Sequence, residues 1–182
     1  EYIEEVQNIF DSDHRGNIGG LGGIEVNTKS LALKHHFRKI FDVFLLLSGF
    51  GEGMVLPSGF CTEYGTTCFP INKVTQVDFL AGNMMSYRKE VFHEFSFDTV
   101  RYLKYGLGED QDFSYRVSKK YCLITTPDAK LLHRESPRMR PNRMSTGRMY
   151  VLNRYFFFKN NVNQIINIHY WISLKHHKTG TL

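Results

Sequence analysis

The chain has 182 residues, 42% of them hydrophobic and 14% aromatic, and a formal net charge of +5. This describes one ordinary globular domain with a real core, and excludes a disordered or fibrous chain. No apolar run reaches the ~20 residues of a membrane span, since Phe41 to Phe50 contains Asp42, and the opening Glu1, Glu4 and Glu5 are unlike a secretory leader.

Residues 1–10 read as an amphipathic helix with Ile3, Val6 and Phe10 on one side. The next stretch, Asp11 to Asn17, has turn chemistry. A glycine-rich strand is expected over Ile18 to Val26; glycines weaken a strand unless another backbone or a ligand must come close. Residues 29–48 form a second helix by the spacing of Phe37, Phe41, Phe44 and Leu45, and Gly49, Gly51 and Gly53 break it. Gly51 to Pro70 is loop-like. Val74 to Ala81 is the clearest strand, followed after Gly82 by a short strand, Met84 to Tyr87, and a short helix from Arg88 to His93. A helix over Thr99 to Tyr105 leads into Gly106-Leu107-Gly108-Glu109-Asp110-Gln111-Asp112. There a new helix opens with Phe113, Val117 and Tyr121 on its apolar face. Acids in a first turn suit the positive end of the helix dipole, so capping alone would account for them. Cys122 to Thr125 and Ala129 to His133 read as two strands around Pro127-Asp128. Pro137 and Pro141 keep 134–147 irregular, Tyr150 to Lys159 is helical, and Ile165 to Leu174 is amphipathic and aromatic.

Charge is concentrated in one segment. Residues 1–132 carry 14 Lys/Arg against 17 Asp/Glu, whereas residues 133–159 carry seven (Arg134, Arg138, Arg140, Arg143, Arg148, Arg154, Lys159) against Glu135 alone. Such a patch attracts phosphates, nucleic acid or anionic lipid. The three cysteines have no zinc-ligand spacing. A Cys61–Cys68 bridge is sterically conceivable, but an odd count without a leader favours free thiols in a reducing compartment.

Alternating helices and strands give an α/β class with a mixed sheet. An ordered set of segments narrows this further. It runs Val77-Asp78 in a strand, Gly82-Asn83-Met84, Tyr87-Arg88-Lys89-Glu90-Val91-Phe92, Phe97-Asp98, Gly108-Glu109-Asp110-Gln111-Asp112, Arg116 and then His133. From about residue 15 to 160 the chain resembles the acceptor half of a family 2 glycosyltransferase. The resemblance implies a GT-A-like mixed sheet flanked by helices that lacks the N-terminal nucleotide-binding half. Residues 1–160 would be the C-terminal portion of that domain and 161–182 an amphipathic C-terminal helix or tail. The metal-binding Asp-x-Asp of the missing half is imitated only by Asp11-Ser12-Asp13. That triplet follows a half-polar helix rather than a buried strand, and reads as a turn.

The implied activity is inverting transfer of a sugar from a nucleotide-sugar donor to an acceptor hydroxyl, in polysaccharide or glycoconjugate synthesis. Asp110 would be the base that takes the hydroxyl proton, with Glu109 capping or positioning beside it. His133 would be one ligand of a Mn²⁺ or Mg²⁺ ion whose other ligands come from the absent Asp-x-Asp and the diphosphate. Arg138 and Arg140 would hold the donor diphosphate. Asp78 and Gly82 would contact the sugar or acceptor, although a carboxylate in an apolar strand also needs a partner such as Arg88 or a backbone donor. Asp112 and Arg116 are spaced to pair with each other. The partners expected are a nucleotide sugar and a sugar or lipid-linked acceptor, in a cytoplasmic protein with an option of peripheral contact at the inner face of the membrane. Two rival readings remain: a basic nucleic-acid-binding module, against which stands the lack of any nucleic-acid-binding motif, and a non-catalytic fragment that packs on a partner.

Overall fold

A computed structural model of the chain describes residues 2–26, 51–64, 71–102, 105–134 and 142–162. The expected helix at 29–48, Cys68, Arg138, Arg140 and the Ile165 to Leu174 stretch lie outside these residues.

Four strands form one mixed sheet in the order β2-β4-β1-β3. They are β1 (Ile18–Glu25), β2 (Thr75–Val77), β3 (Met85–Tyr87) and β4 (Cys122–Leu131). The central pair, β1 and β4, is parallel, and β3 and β2 flank it antiparallel on either side. The two expected strands around Pro127 are thus one. Gly22 is in register with Thr125 and Ile24 with Lys130, so residues 126–129 bulge out of the ladder. A bulge is a position where proline's missing donor costs nothing.

Successive side chains of a strand point to opposite faces, and each face has its own helix. On one face α1 (Tyr2–Ser12) lays Tyr2, Val6, Ile9 and Phe10 on Leu21, Ile124 and Ala129. Ile3, expected on this side, is 79% exposed, because the stripe runs through Tyr2 and Ile9 instead. On the other face α3 (Glu109–Ser118) buries Phe113 and Val117 with Val77, Leu80, Val91 and Leu123, and Tyr121 packs against this cluster from just beyond the helix. Phe113 is its centre: Phe97 stacks on it at 4.1 Å and Tyr87 meets it edge-on at 5.0 Å.

Several element ends differ from expectation for identifiable reasons. The strand around Val77 stops there because Asp78 turns out to the 51–64 loop, its N–H donating to Gly53 O at 2.7 Å. The short helix after β3 is the single turn α2 (Val91–Glu94). No helix forms over residues 99–102; the Asp98 carboxylate instead accepts from Val100 N and Arg101 N at 3.1 and 2.9 Å, an Asx turn that competes with a helical start. Helix α4 (Arg143–Phe157) starts well before Tyr150, because the Asn142 side chain accepts from Ser145 N at 2.8 Å and caps it. It continues as a π-helical turn, Phe158–Val162. Among the described residues no helix is long and apolar enough to cross a membrane.

Candidate active site

The loop before α3 depends on two glycines. Gly106 has φ 69° and Gly108 φ 90°, the left-handed region that side-chain-bearing residues rarely adopt. These turns deliver Glu109 and Asp110 at the start of α3. The Asp110 carboxylate is held at both oxygens: Gly82 N–H donates to Oδ2 at 2.7 Å and Gln111 N–H to Oδ1 at 2.9 Å. A Cβ at Gly82 would sit 3.0 Å from Oδ2, so this glycine makes room for the carboxylate. The structure therefore brings together two residues nominated from sequence, and the space beside Gly82 is filled by Asp110.

Gly82 stands at a defined edge of the sheet. The neighbouring Asn83 donates to Glu25 Oε2 at 3.1 Å, and Glu25, the last residue of β1, is in register with Leu131, the last of β4. The edge is the carboxyl end of the parallel pair, where α/β sheets bind their ligands. His133 follows β4 at that same end.

Asp78 has a structural partner. Val55 N–H donates to its Oδ2 at 2.8 Å, which fastens the 51–64 loop to the end of β2. Tyr64 reinforces the fastening, donating to Phe79 O at 2.9 Å and accepting from Ala81 N at 3.0 Å. Arg88, the other partner considered for Asp78, instead pairs with Asp13 at 3.3 Å and donates to Ile18 O and Phe10 O. Asp13 also accepts from Ile18 N at 2.7 Å. It ties the end of α1 to the start of β1, a structural duty that accounts for half of the Asp-x-Asp look-alike.

A pocket of about 170 Å³ opens beside Asp110, between the start of α3 and the inner face of α4; Leu107, Gly108, Gln111, Tyr150, Asn153, Arg154 and Phe157 complete its lining. Helix α4 is docked there by polar and apolar contacts. Asn153 donates to Leu107 O at 2.7 Å, Asn161 to Asp112 Oδ1 at 2.8 Å, and Phe157 and Val162 pack with Tyr115. Arg154 Nη1 donates to Gly59 O at 2.9 Å and to Cys61 Sγ at 3.3 Å, with its guanidinium over the rings of Phe60 and Tyr150. Burial pushes the Cys61 thiol up, Arg154 pulls it part of the way back, and Asp110 and Asp78 push it further. Cys61 and Cys122 are free thiols.

The other acid of the pair is Glu109. Its carboxyl is raised above the ordinary glutamate range, chiefly by burial and also by the Asp110 charge, although backbone N–H groups at the helix start oppose the shift. Asp112 and Arg116 pair as spaced, at 2.9 Å, with Asp112 only 4% exposed. Arg134, Arg143 and Arg148 of the basic segment are exposed. Among the described residues no three His, Cys, Asp or Glu side chains are grouped to hold a metal. Sequence reasoning missed Arg154 and Asn153 as pocket residues. The signal available was their position in Asn153-Arg154-Tyr155-Phe156-Phe157, where a polar pair directly precedes an aromatic run. Comparison with known proteins finds no family model, characterised protein or solved structure that matches the chain.

Proposed function

We propose that the chain is the acceptor-binding, base-bearing part of an inverting glycosyltransferase that moves a sugar from a nucleotide-sugar donor to an acceptor hydroxyl. The observation that carries the reading is the Asp110 carboxylate, fixed by Gly82 N–H at 2.7 Å and lining a pocket at the start of α3. In the proposed step Asp110 takes the acceptor hydroxyl proton as its oxygen bonds to the anomeric carbon. The bond from that carbon to the diphosphate oxygen breaks on the opposite side, and its electron pair leaves with the nucleoside diphosphate. A carboxylate already held by peptide donors needs little reorganisation for this.

The reading assigns the donor diphosphate to Arg138 and Arg140 and one metal position to His133. A hard divalent cation needs several oxygen ligands, and the described residues do not supply them. The Asp-x-Asp would then come from another segment of the protein. A GT-A fold, a lipid-linked or sugar acceptor and a place at the inner face of the membrane belong to the same proposal. The mixed charge of the pocket, a carboxylate at Asp110 and a guanidinium at Arg154, favours it over a uniformly basic nucleic-acid surface.

The test is nucleoside diphosphate release by the full-length protein, with a panel of nucleotide sugars and acceptors. Asp110→Asn is expected to lower turnover by about 10²–10⁴-fold, the usual worth of a general base, while donor affinity is nearly kept. Glu109→Gln should cost less. Wild-type turnover in Asp110→Asn, or the reverse order of the two variants, would sink the assignment of the base.

A further inference from the structure

Arg154 is placed as few structural arginines are. It lines the same pocket as Asp110 but makes no ion pair with it, nor with any other carboxylate among the described residues. Its partners are neutral: Gly59 O, the Cys61 sulfur, the faces of Phe60 and Tyr150, and a long contact of 3.4 Å from Nη2 to the Tyr150 hydroxyl. Nη1 is used up by the loop, whereas Nε donates to no described residue. The edge formed by Nε and Nη2 is the one that grips an oxyanion with two parallel hydrogen bonds. A guanidinium half buried among rings without a counter-charge is costly unless an anion completes the site.

We infer that Arg154 binds an oxyanion carried by the acceptor, a carboxylate or a phosphate on the sugar whose hydroxyl faces Asp110. This rests on the glycosyltransferase reading for the word acceptor. In an in-line displacement the base and the leaving diphosphate lie on opposite sides of the anomeric carbon. An anion site in the base's own pocket is therefore on the acceptor side. The two charges also set the direction of binding, because Asp110 repels the acidic group that Arg154 attracts. The volume of about 170 Å³ equals roughly six times the ~30 Å³ share of one water. It has room for a single sugar ring.

The probes are methyl β-glucuronide, the 6-phosphate of methyl β-glucoside, neutral methyl β-glucoside and inorganic phosphate, each titrated into the isotopically labelled full chain while the Arg154 Nε–H resonance is followed. A shift with either acidic glycoside and none with the neutral one is expected, and which acid responds identifies the source of the oxyanion. Arg154→Gln should weaken the acidic glycoside about tenfold or more, as for a hydrogen bond to a charged group, and Arg154→Lys should restore part of it. Equal binding of the neutral glycoside, unchanged binding in Arg154→Gln, or a response to inorganic phosphate alone would overturn the inference. If Arg154→Gln does not fold, the wild-type resonance decides. The underlying reading fails separately. Selective glycoside binding at Arg154 without diphosphate release by the full-length protein keeps the anion site and removes the transferase. Transfer to neutral acceptors that Arg154→Lys leaves unchanged does the reverse.

Discussion

Glu109 and Asp110 adjoin each other in sequence, and the fold gives them opposite treatment. Asp110 spends both oxygens on peptide N–H groups, while Glu109 packs against Gly106, whose added Cβ would lie 3.2 Å from the Glu109 carboxyl carbon. Burial raises the Glu109 carboxyl above its ordinary value of 4.5. A raised acid favours folding while protonated, and that contribution is lost as the pH climbs through the folded-state pKa. Glu109→Gln should therefore melt close to the parent at pH 4 and move above it as the pH rises to 7. A difference that does not vary with pH would mean the helix start, not burial, governs this side chain. The acids themselves were legible in sequence, since two glycines followed by three carboxylates within four positions mark a helix start. Arg154 was not. On its own helix it reads as one more surface arginine of a basic segment, and only the docking of the 59–61 loop surrounds it with rings and a thiol.

At the scale of elements, α3 and α4 are locked by one buried carboxylate. Asp112 accepts from Arg116 Nε at 2.9 Å on its own helix and from Asn161 at 2.8 Å in the π-helical turn that ends α4. Removing it would strand both donors, although Arg116, at 31% side-chain exposure, can turn to water. Asp112→Ala should cost about 2 kcal/mol, below the full penalty for breaking a buried pair. The urea midpoint measures it, and a loss under about 0.5 kcal/mol would show that α4 docks by its apolar face alone. The periodic elements, α3 above all, were readable from the recurrence of Phe113 and Val117. Ends were not, because they are set by single side-chain bonds. Asn142 begins α4 in what the flanking prolines suggest is irregular chain, and Asp98 turns a helical-looking stretch into an Asx turn.

For the whole molecule the parallel contact of β1 with β4 is decisive, and the glycines of β1 are its condition. A Cβ at Gly23 would lie 2.0 Å from the Ala129 carbonyl oxygen, and one at Gly20 would meet the Tyr87 and Leu123 side chains below 3.0 Å. Gly23→Ala cannot be relieved by a side-chain rotation, since the obstacle is backbone. It should destabilise by about 3 kcal/mol or more, at the upper end for overpacking, and leave the protein in the insoluble fraction. Wild-type solubility and melting temperature in that variant would mean the β1–β4 pairing is not the one described. The sequence announces that something must approach this strand closely. It does not say that the approaching partner is the bulge at 126–129, because the partner lies about a hundred residues further on.

That separation has a consequence in time. At the ~5–20 residues per second of protein synthesis, roughly 5–20 s pass between the appearance of Ile18–Glu25 and that of Cys122–Leu131. For most of this interval the strand destined for the middle of the sheet has neither of its described strand neighbours, since β3 is itself made about 60 residues after β1, and the edge meant for β4 stays bare to the end of it. Contacts so remote in the chain also form slowly once possible. The nascent protein is therefore most exposed to aggregation before β4 emerges, and a slow stretch of translation helps it only once β4 has left the ribosome.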